Sequence, residues 1–385
     1  MAVRIERGVT PMPGRKEKEQ HMKHKTLRTL LCVILTVCFC LSAIAPVSAA
    51  GLFSGDTGAA NIFDEWIRSL KDRFIEKNPG TDETPAEPME GTGEEFIRIF
   101  HLDCGRKYFT VDQIEGIIDQ LAANNYTHIE LAFGNDGFRF LLDNMAVTVD
   151  GKTYSHDDVK ASIQAGNSAY NNECKNNYNP SINELDQREM DEIISHANEK
   201  NIGVIPMIDV PGHTKTLIEA MTALEIAVDS KTTGNNNAGN PMHAFKAGDN
   251  AATRFAVALV KKYVDYFYSN GSKYFNIAGD ECGDTSFVKV DEIVPNLITP
   301  LSSYIKSKNM TPMMFNDAFR TDNTLKTTLQ GSGIVICYWT NGDKYDKVET
   351  LANTYGYSII NTHNKWYYVA GKEKPTSFDW GGKAF

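Results

Sequence analysis

From about Phe96 onward, the chain alternates between short apolar runs and longer segments in which apolar residues recur every three or four positions. Short runs that are apolar nearly throughout are typical of strands buried on both faces, whereas the longer spacing indicates amphipathic helices. The pattern predicts seven strands, over residues 96–103, 127–133, 203–210, 274–278, 312–315, 334–339 and 358–361.

Helices are predicted from Val111 onward, over 184–200 and over 251–268. Thr110 and Gln113 form the sequence signature of a capping box at the start of the first helix. Two polar stretches, to about residue 180 and between 211 and 250, are expected to be loops.

Strands separated mostly by helix-length connections predict an α/β fold with parallel strands, and a (β/α)8 TIM barrel fits best. A doubly wound open sheet is the alternative, but it requires a phosphate-binding glycine turn after the first strand, which this sequence does not have. The chain ends soon after the seventh strand, so we expect a barrel that lacks its eighth strand and a chain that is a fragment of a longer gene product.

The first 95 residues differ from the rest. Basic residues precede an apolar run over 30–45, which ends in the small residues 47–50, and this pattern is typical of a secretory signal peptide. We therefore expect residues 1–50 to be a lead and signal peptide cleaved near Ala49, residues 51–95 to be a linker with one short helix, and residues 96–385 to be the catalytic barrel. The protein is expected to be secreted or at the cell surface, with no stable membrane span.

Composition narrows the classes of partner. The 385-residue chain has 42% hydrophobic residues and a formal net charge of −10, so it folds around a large core and is an unsuitable partner for nucleic acid. Four widely spaced cysteines follow the signal and form neither a metal-binding pattern nor a disulfide scaffold. We assign them no pairing.

The tripeptide Gly279-Asp280-Glu281 stands where the predicted fourth strand ends. Two consecutive acids at the end of a strand can both face one cavity, and different surroundings can separate their pKa values. Other polar residues also follow predicted strands, which is where TIM barrels build their active sites; they are Asp103, Arg106, Asp136, Asp209, His213, Asn316, Asp317 and Trp339. A metal site formed by Asp209, His213, Asp280 and Glu281 is one interpretation of this set.

Four motifs resemble glycoside hydrolase family 20, the β-N-acetylhexosaminidases and lacto-N-biosidases, across most of residues 97–370. They are Leu102–Phe109 (LDCGRKYF), Ile208–His213 (IDVPGH), Ile277–Glu281 (IAGDE) and Trp366–Tyr368 (WYY). Within the family, Gly134–Leu142 (GNDGFRFLL) is most similar to the lacto-N-biosidase-like branch.

The resemblance implies a retaining mechanism in which the 2-acetamido group of the substrate replaces an enzyme nucleophile. Glu281 is then expected to protonate the glycosidic oxygen and later to deprotonate water. Asp280 is expected to stay ionised, to hold the acetamido N–H and to stabilise an oxazolinium intermediate. Tyr367 matches the tyrosine that aims the acetamido oxygen, and Arg106 matches the arginine that grips sugar hydroxyls.

The same resemblance implies that His213 connects the general acid to a further carboxylate, for which Asp136 is the candidate. The family commonly has two acids followed by a glutamine there, whereas this chain has Asn135 and Asp136. Trp339 and Trp366 are expected to form apolar walls against the sugar, and Asp317 to contact the pocket or a sugar hydroxyl.

The predicted function is therefore an exported glycosidase that releases terminal β-linked N-acetylhexosamine, or lacto-N-biose, from an oligosaccharide or glycoconjugate. No cofactor and no metal are expected. The alternatives are a non-catalytic glycan-binding or adhesion protein with a degenerate barrel and, third, the metal-dependent enzyme implied by the acidic set.

Overall fold

A computed structural model describes residues 97–175, 179, 183–235, 241–281 and 289–362, and the main chain of 369–370 and 379–380. The strands are β1 Ile99–Leu102, β2 His128–Asn135, β3 Gly137–Phe138, β4 Val147–Val149, β5 Lys152–Tyr154, β6 Gly203–Ile208, β7 Ser230–Asn235, β8 Pro241–Phe245, β9 Tyr274–Asn276, β10 Thr311–Phe315, β11 Val335–Tyr338, β12 Ile359–Asn361, β13 Val369–Ala370 and β14 Asp379–Trp380.

The α-helices are α1 Val111–Ala123, α2 His156–Cys174, α3 Gln187–Glu199, α4 Lys215–Ala223, α5 Ala251–Ser269, α6 Val290–Ile293, α7 Thr299–Ser307 and α8 Leu325–Thr328. Thr110 and Gln113 close the capping box predicted for α1, since each side chain accepts from the other residue's backbone N–H. An equivalent box between Asp186 and Glu189 begins α3.

Seven parallel strands form one curled sheet in the order β1-β2-β6-β9-β10-β11-β12, and β3 adds a short antiparallel pairing to β2. The seven predicted strands and their parallel arrangement are confirmed. The sheet is a partial (β/α)8 barrel, so the carboxyl ends of its strands meet at one edge.

Side chains on the sheet alternate between two apolar regions. On β2, Ile129, Leu131 and Phe133 belong to the large core that includes the helices. Ala132 faces the other way and packs with Met207 and Ala278 inside the curl of the sheet. The inside of the curled sheet therefore consists of small apolar layers, where a charged side chain is unfavourable unless it has polar partners.

The prediction that the two long polar stretches are loops is wrong. The first contains the β4–β5 hairpin and the 19-residue helix α2, and the second contains α4 and the β7–β8 hairpin. Helix α2 has no continuous apolar stripe because buried Asn167 and Asn171 face the barrel and use their amides as hydrogen-bond partners. Hydrophobic periodicity cannot detect a helix that packs through amides.

Several sequence predictions lie outside the described residues. These are the signal peptide, the linker and its helix, Cys282, Trp366 and Tyr367. Cys104, Cys174 and Cys337 are buried. Among the described helices, none combines the length and apolar character that a membrane crossing requires.

Candidate active site

The carboxyl ends of six strands deliver polar side chains to one region of the described structure. β1 is followed by Asp103 and Arg106, β2 by Asp136, β6 by Asp209 and His213, β9 by Asp280 and Glu281, β10 by Asp317, and β11 by Trp339. These residues were predicted to form a cluster, and hydrogen bonds or ion pairs join them directly, as the next paragraphs describe.

A tight turn after β9 presents the two adjacent carboxylates. Ala278, Gly279 and Glu281 have φ values of +51°, +68° and +41°, in the left-handed region. The backbone N–H of Asp280 donates to Asp209 Oδ1 at 3.2 Å, and that of Glu281 donates to Asp317 Oδ2 at 2.6 Å. Two neighbouring strand ends therefore fix the main chain of the pair.

His213 connects Asp136 to Glu281. Its Nδ1 lies 3.1 Å from Asp136 Oδ2, and its Nε2 lies 3.1 Å from Glu281 Oε2 and 3.6 Å from Asp280 Oδ2. The main chain joins the same two elements, because the N–H of Asp136 donates to His213 O at 2.5 Å and Asp136 O accepts from the N–H of Thr216 at 2.9 Å. The predicted connection from a carboxylate through His213 to Glu281 is thus present in the geometry.

Burial and charge set the protonation of this connection. Burial alone would raise the pKa of Asp136, but His213 and Arg106 outweigh it and lower the pKa to about 2. Burial alone would lower the pKa of His213, but Asp136 and the acceptor Glu281 outweigh it and hold the pKa well above its usual range. An ionised Asp136 therefore stabilises an imidazolium that can donate to Glu281.

Arg106 occupies the centre of the cluster. Its Nε donates to Asp136 Oδ2 at 2.9 Å and its Nη1 donates to Asp103 Oδ2 at 3.0 Å. Its Nη2 lies 2.8 Å from His213 Nδ1. Because a guanidinium nitrogen can only donate a hydrogen bond, this contact opposes protonation of the imidazole ring. The guanidinium of Arg106 therefore pairs with two protein carboxylates, while 23% of the side chain remains exposed to solvent.

Three carboxyl groups, those of Asp280, Asp209 and Asp317, lie close together at this turn. Burial, first, and then the charge of Asp317 raise the pKa of Asp280 well above its usual range. Burial likewise raises the pKa of Asp209 and of Asp317, although Asp317 receives stabilising hydrogen bonds from Glu281 N–H and Trp339. Burial and the mutual repulsion of their charges therefore both oppose simultaneous ionisation of these three groups.

Trp339 is held at the mouth of the sheet by two polar contacts. Its indole Nε1 donates to Asp317 Oδ1 at 3.2 Å, and its backbone N–H donates to Asn316 Oδ1 at 2.7 Å. The ring is partly exposed, so it can offer an apolar face to a ligand. Asp317 therefore contacts both the turn that carries Asp280 and Glu281 and the tryptophan that was predicted to form an apolar wall.

Asp209, His213 and Asp280 each place one ligand atom within 4.8 Å of the others, which is compatible with a divalent ion. The neighbouring guanidinium of Arg106 disfavours a further cation, since Nη2 already lies 2.8 Å from the same imidazole. The residues fit a proton-sharing cluster better than a metal centre.

The structure brings together seven of the nine predicted site residues, and the other two, Trp366 and Tyr367, lie outside the described part. Sequence reasoning missed Tyr345, in the loop after β11. Burial raises the pKa of its phenol, and the charges of Asp317, Glu281 and Asp280 raise it further, which places Tyr345 within electrostatic reach of the pair.

Comparison with known proteins gives a consistent result. The glycosyl hydrolase family 20 catalytic domain matches residues 97–383. A β-hexosaminidase of Vibrio vulnificus is 28% identical over 183 residues, which are 47% of this chain and 20% of that protein. A β-hexosaminidase of Vibrio furnissii is 28% identical over 31% of this chain and 18% of its own length. The chain thus spans about a fifth of these curated relatives.

Solved structures extend the similarity to three dimensions. The pneumococcal exo-β-D-N-acetylglucosaminidase StrH, whose tandem GH20 catalytic modules have been studied for inhibition and for N-glycan recognition and hydrolysis, is 30% identical with a TM-score of 0.58. The match covers 73% of this chain and 68% of that one. Dispersin B, 20% identical with a TM-score of 0.50 over 73% of this chain and 79% of its own, shares the fold.

Proposed function

Because the chain belongs to glycosyl hydrolase family 20, we propose that it hydrolyses terminal β-linked N-acetylhexosamine, or a disaccharide beginning with it, from an oligosaccharide or glycoconjugate. The observation that carries this proposal is the placement of Asp280 and Glu281 around one imidazole nitrogen, His213 Nε2, at 3.6 Å and 3.1 Å.

The closeness of the two acids supports substrate assistance. Ordinary retaining glycosidases hold their two carboxyl groups about 5–5.5 Å apart on opposite sides of the scissile bond. Here the pair is consecutive in sequence and shares one turn and one histidine nitrogen. Such a pair suits a reaction in which the acetamido oxygen of the substrate attacks the anomeric carbon.

In this mechanism Glu281 gives its proton to the glycosidic oxygen as the acetamido oxygen closes an oxazolinium ring. Asp280 accepts the acetamido N–H through Oδ1, a buried oxygen to which no described protein group donates. As a carboxylate, Asp280 stabilises the positive charge that develops on the ring, and this charge in turn favours its ionised form. Glu281 then takes a proton from water, which opens the ring with overall retention.

His213 tunes the proton affinity of Glu281 during this cycle. As an imidazolium stabilised by Asp136, it donates from Nε2 to the carboxylate that remains after proton transfer. Arg106, next to Asp136 and partly exposed, is the candidate for binding sugar hydroxyls. Trp339 supplies an apolar wall, and Trp366 and Tyr367 are proposed contacts from the family resemblance alone.

Export is part of the proposal. The basic residues at 23–28, the apolar run over 30–45 and the small residues before position 51 support secretion or display at the cell surface. Mass spectrometry of the protein from its native culture tests this: a mature N-terminus near residue 50 is expected, and an intact residue 22–50 segment on the mature protein would contradict it.

The deciding experiment measures chromophore release from p-nitrophenyl N-acetyl-β-glucosaminide, its galactosaminide isomer and the lacto-N-bioside, with Asp280→Asn as control, because these activated leaving groups depend little on a general acid. Activity that disappears in the control supports the hydrolase and identifies the sugar. Sugar binding without hydrolysis of any substrate supports a glycan-binding protein instead.

The same assay, repeated after removal of metal ions, distinguishes the proposed mechanism from a metal-dependent one. Dialysis against EDTA is expected to leave hydrolysis unchanged, because every step above uses protons and fixed charges of the protein. Loss of activity that Zn²⁺ or Mn²⁺ restores would favour a metal centre at Asp209, His213 and Asp280.

A further inference from the structure

A buried carboxylate lies inside the curl of the sheet, below the catalytic turn. Glu130 on β2 is only 4% exposed, although the interior layers beside it consist of residues such as Ala132 and Met207. A charge in an apolar interior is unfavourable unless it is paired and hydrogen-bonded, and an apolar side chain would pack there at lower free energy. The position of Glu130 therefore calls for an explanation beyond packing.

Both oxygens of Glu130 have partners on neighbouring strands. Oε2 lies 2.6 Å from Nδ1 of His101, which is paired with Glu130 in register across β1 and β2. Oε1 accepts from Asn276 Nδ2 at 2.7 Å, from the last residue of β9. The carboxylate thus bridges the first strand of the sheet to the strand that leads into the catalytic turn.

The side chain of Asn276 links Glu130 to the main chain of Ala278. It is fully buried, and its Oδ1 accepts from the N–H of Ala278 at 2.8 Å. A carboxylate only accepts and a backbone N–H only donates, so the orientation of the Asn276 amide is fixed by its two partners. The backbone oxygen of Ala278 accepts from the N–H of Phe315 at 2.7 Å, which completes the attachment of this residue.

Ala278 is the first residue of the left-handed turn that presents Asp280 and Glu281. A non-glycine residue in this conformation is disfavoured by about 1 kcal/mol or more and persists only where surrounding contacts stabilise it. The amide of Asn276 supplies such a contact at φ +51°. A chain of hydrogen bonds therefore runs from Glu130 through Asn276 to the backbone that carries both acids.

We propose that Glu130 and Asn276 are positioning residues for the catalytic pair, acting through the N–H of Ala278 rather than by contact with substrate. This inference rests on the proposed function for its kinetic consequence. Loss of the Asn276 amide lets the turn relax, and a displacement of about 1 Å in a catalytic group lowers turnover by about 100-fold.

Swapping the acid at position 130 with the amide at position 276 in the full chain tests this proposal. Asn276→Asp sets two carboxylates against each other, and Asn276→Ala removes both hydrogen bonds, so each is expected to lower kcat by about 10–100-fold with KM changed less than about twofold. The double variant Glu130→Gln with Asn276→Asp restores a donor opposite an acceptor and is expected to recover most of kcat. The single variant Glu130→Gln keeps a carbonyl oxygen that can accept from Asn276. It is therefore expected to lower kcat less than either Asn276 variant does.

Cys337→Ala is the matched control, because Cys337 occupies the same interior region, with Sγ 4.0 Å from Asn276 Nδ2, but does not contact Ala278 N–H. Hydrogen exchange at the Ala278 amide is the second readout, and Asn276→Ala is expected to accelerate it at least about tenfold. Wild-type kcat and unchanged exchange in Asn276→Ala would overturn the proposal, as would failure of the double variant to exceed Asn276→Asp.

Different results would contradict the proposed function and the positioning role of Glu130 and Asn276. A folded wild-type protein that hydrolyses none of the three substrates contradicts the proposed function, while the exchange measurement still decides whether Asn276 holds the turn. Variants that only lower the melting temperature, with kcat and exchange of the folded protein intact, assign Glu130 a purely structural role.

Discussion

His213 Nε2 lies 3.1 Å from Glu281 Oε2 and 3.6 Å from Asp280 Oδ2, so a single imidazole nitrogen faces both members of the adjacent carboxylate pair. The side chain of His213 is 1% exposed, whereas those of Asp280 and Glu281 are 23% and 35% exposed. The histidine is therefore buried beneath the pair, and the two acids are the members of this group that solvent or a ligand can reach.

Asp280→Asn is expected to abolish turnover and to stabilise the fold at neutral pH. A carboxyl whose folded pKa is raised contributes full stability below its unfolded value of about 3.9 and loses it as pH rises through the folded pKa. The variant removes this loss, so its melting temperature should exceed that of the wild type at pH 7 by a few degrees, since about 1 kcal/mol corresponds to about 2–4 °C. At pH 3.5 the two should converge, and a melting temperature at pH 7 below the wild type would contradict the assigned pKa direction.

Glu281→Gln is expected to reveal a general acid through its dependence on the leaving group. An unactivated disaccharide needs protonation of the glycosidic oxygen, so its kcat should fall by about 100-fold to 10,000-fold. A p-nitrophenyl glycoside leaves without that help and should lose less. Kinetics with both substrates, using exposed Glu199→Gln as control, check this; equal losses would remove Glu281 from the acid role.

Asp136→Asn is expected to shift the alkaline limb of the pH–rate profile to lower pH. Asp136 is the main group that raises the pKa of His213, so its neutralisation lets the imidazolium lose its proton earlier. The measurement is kcat/KM between pH 4 and pH 9. Asp103→Asn is the control, because Asp103 pairs with Arg106 and not with His213; a limb that moves equally in both variants would argue against a specific connection.

The same Asp136 variant should be less stable than the wild type at neutral pH and should lose less stability in acid. A carboxylate with a depressed pKa contributes stability above its unfolded value of about 3.9 and loses it as pH falls through the folded value. For Asp136 this window extends from about pH 4 down to about 2. Thermal melts at pH 2, 4 and 7 should show a stability difference from wild type that is present at pH 4 and above and shrinks by pH 2.

Arg106→Lys is expected to raise KM by about tenfold, because one ammonium group cannot reproduce a planar guanidinium that contacts Asp103 and Asp136 and that we propose also binds sugar hydroxyls. Michaelis kinetics and binding of a thiazoline analogue of the intermediate test this. Arg188→Lys, on the exposed face of α3, is the control. An unchanged KM with a large drop in kcat would instead place Arg106 in transition-state stabilisation alone.

The position of the turn that carries Asp280 and Glu281 was predictable because its signal is local. The apolar run of β9 ends directly before Gly279-Asp280-Glu281, and parallel strands bring such ends to one edge. Helix α2 was not predictable in this way. Its buried residues Asn167 and Asn171 are polar in the sequence, and only their partners in three dimensions, including Phe138 and Arg139, explain their burial.

Glu130 shows the same limit inside the barrel. In the sequence it is one polar residue in a strand pattern, where alternation alone predicts a solvent-facing position. Its partners His101 and Asn276 are 29 and 146 residues away. A charge that is satisfied by distant strands leaves no periodic signal, so its role emerges only once the register of the sheet is known.

The main-chain hydrogen bonds between Asp136 and His213 have a consequence for protein engineering. Because the N–H of Asp136 donates to His213 O, the spacing of these two positions does not depend on the side chains they carry. Libraries at both positions that are limited to residues such as Asn, Asp and His, which tolerate the positive φ of +59° and +46° there, can therefore change the charge beside Glu281 without rebuilding either loop.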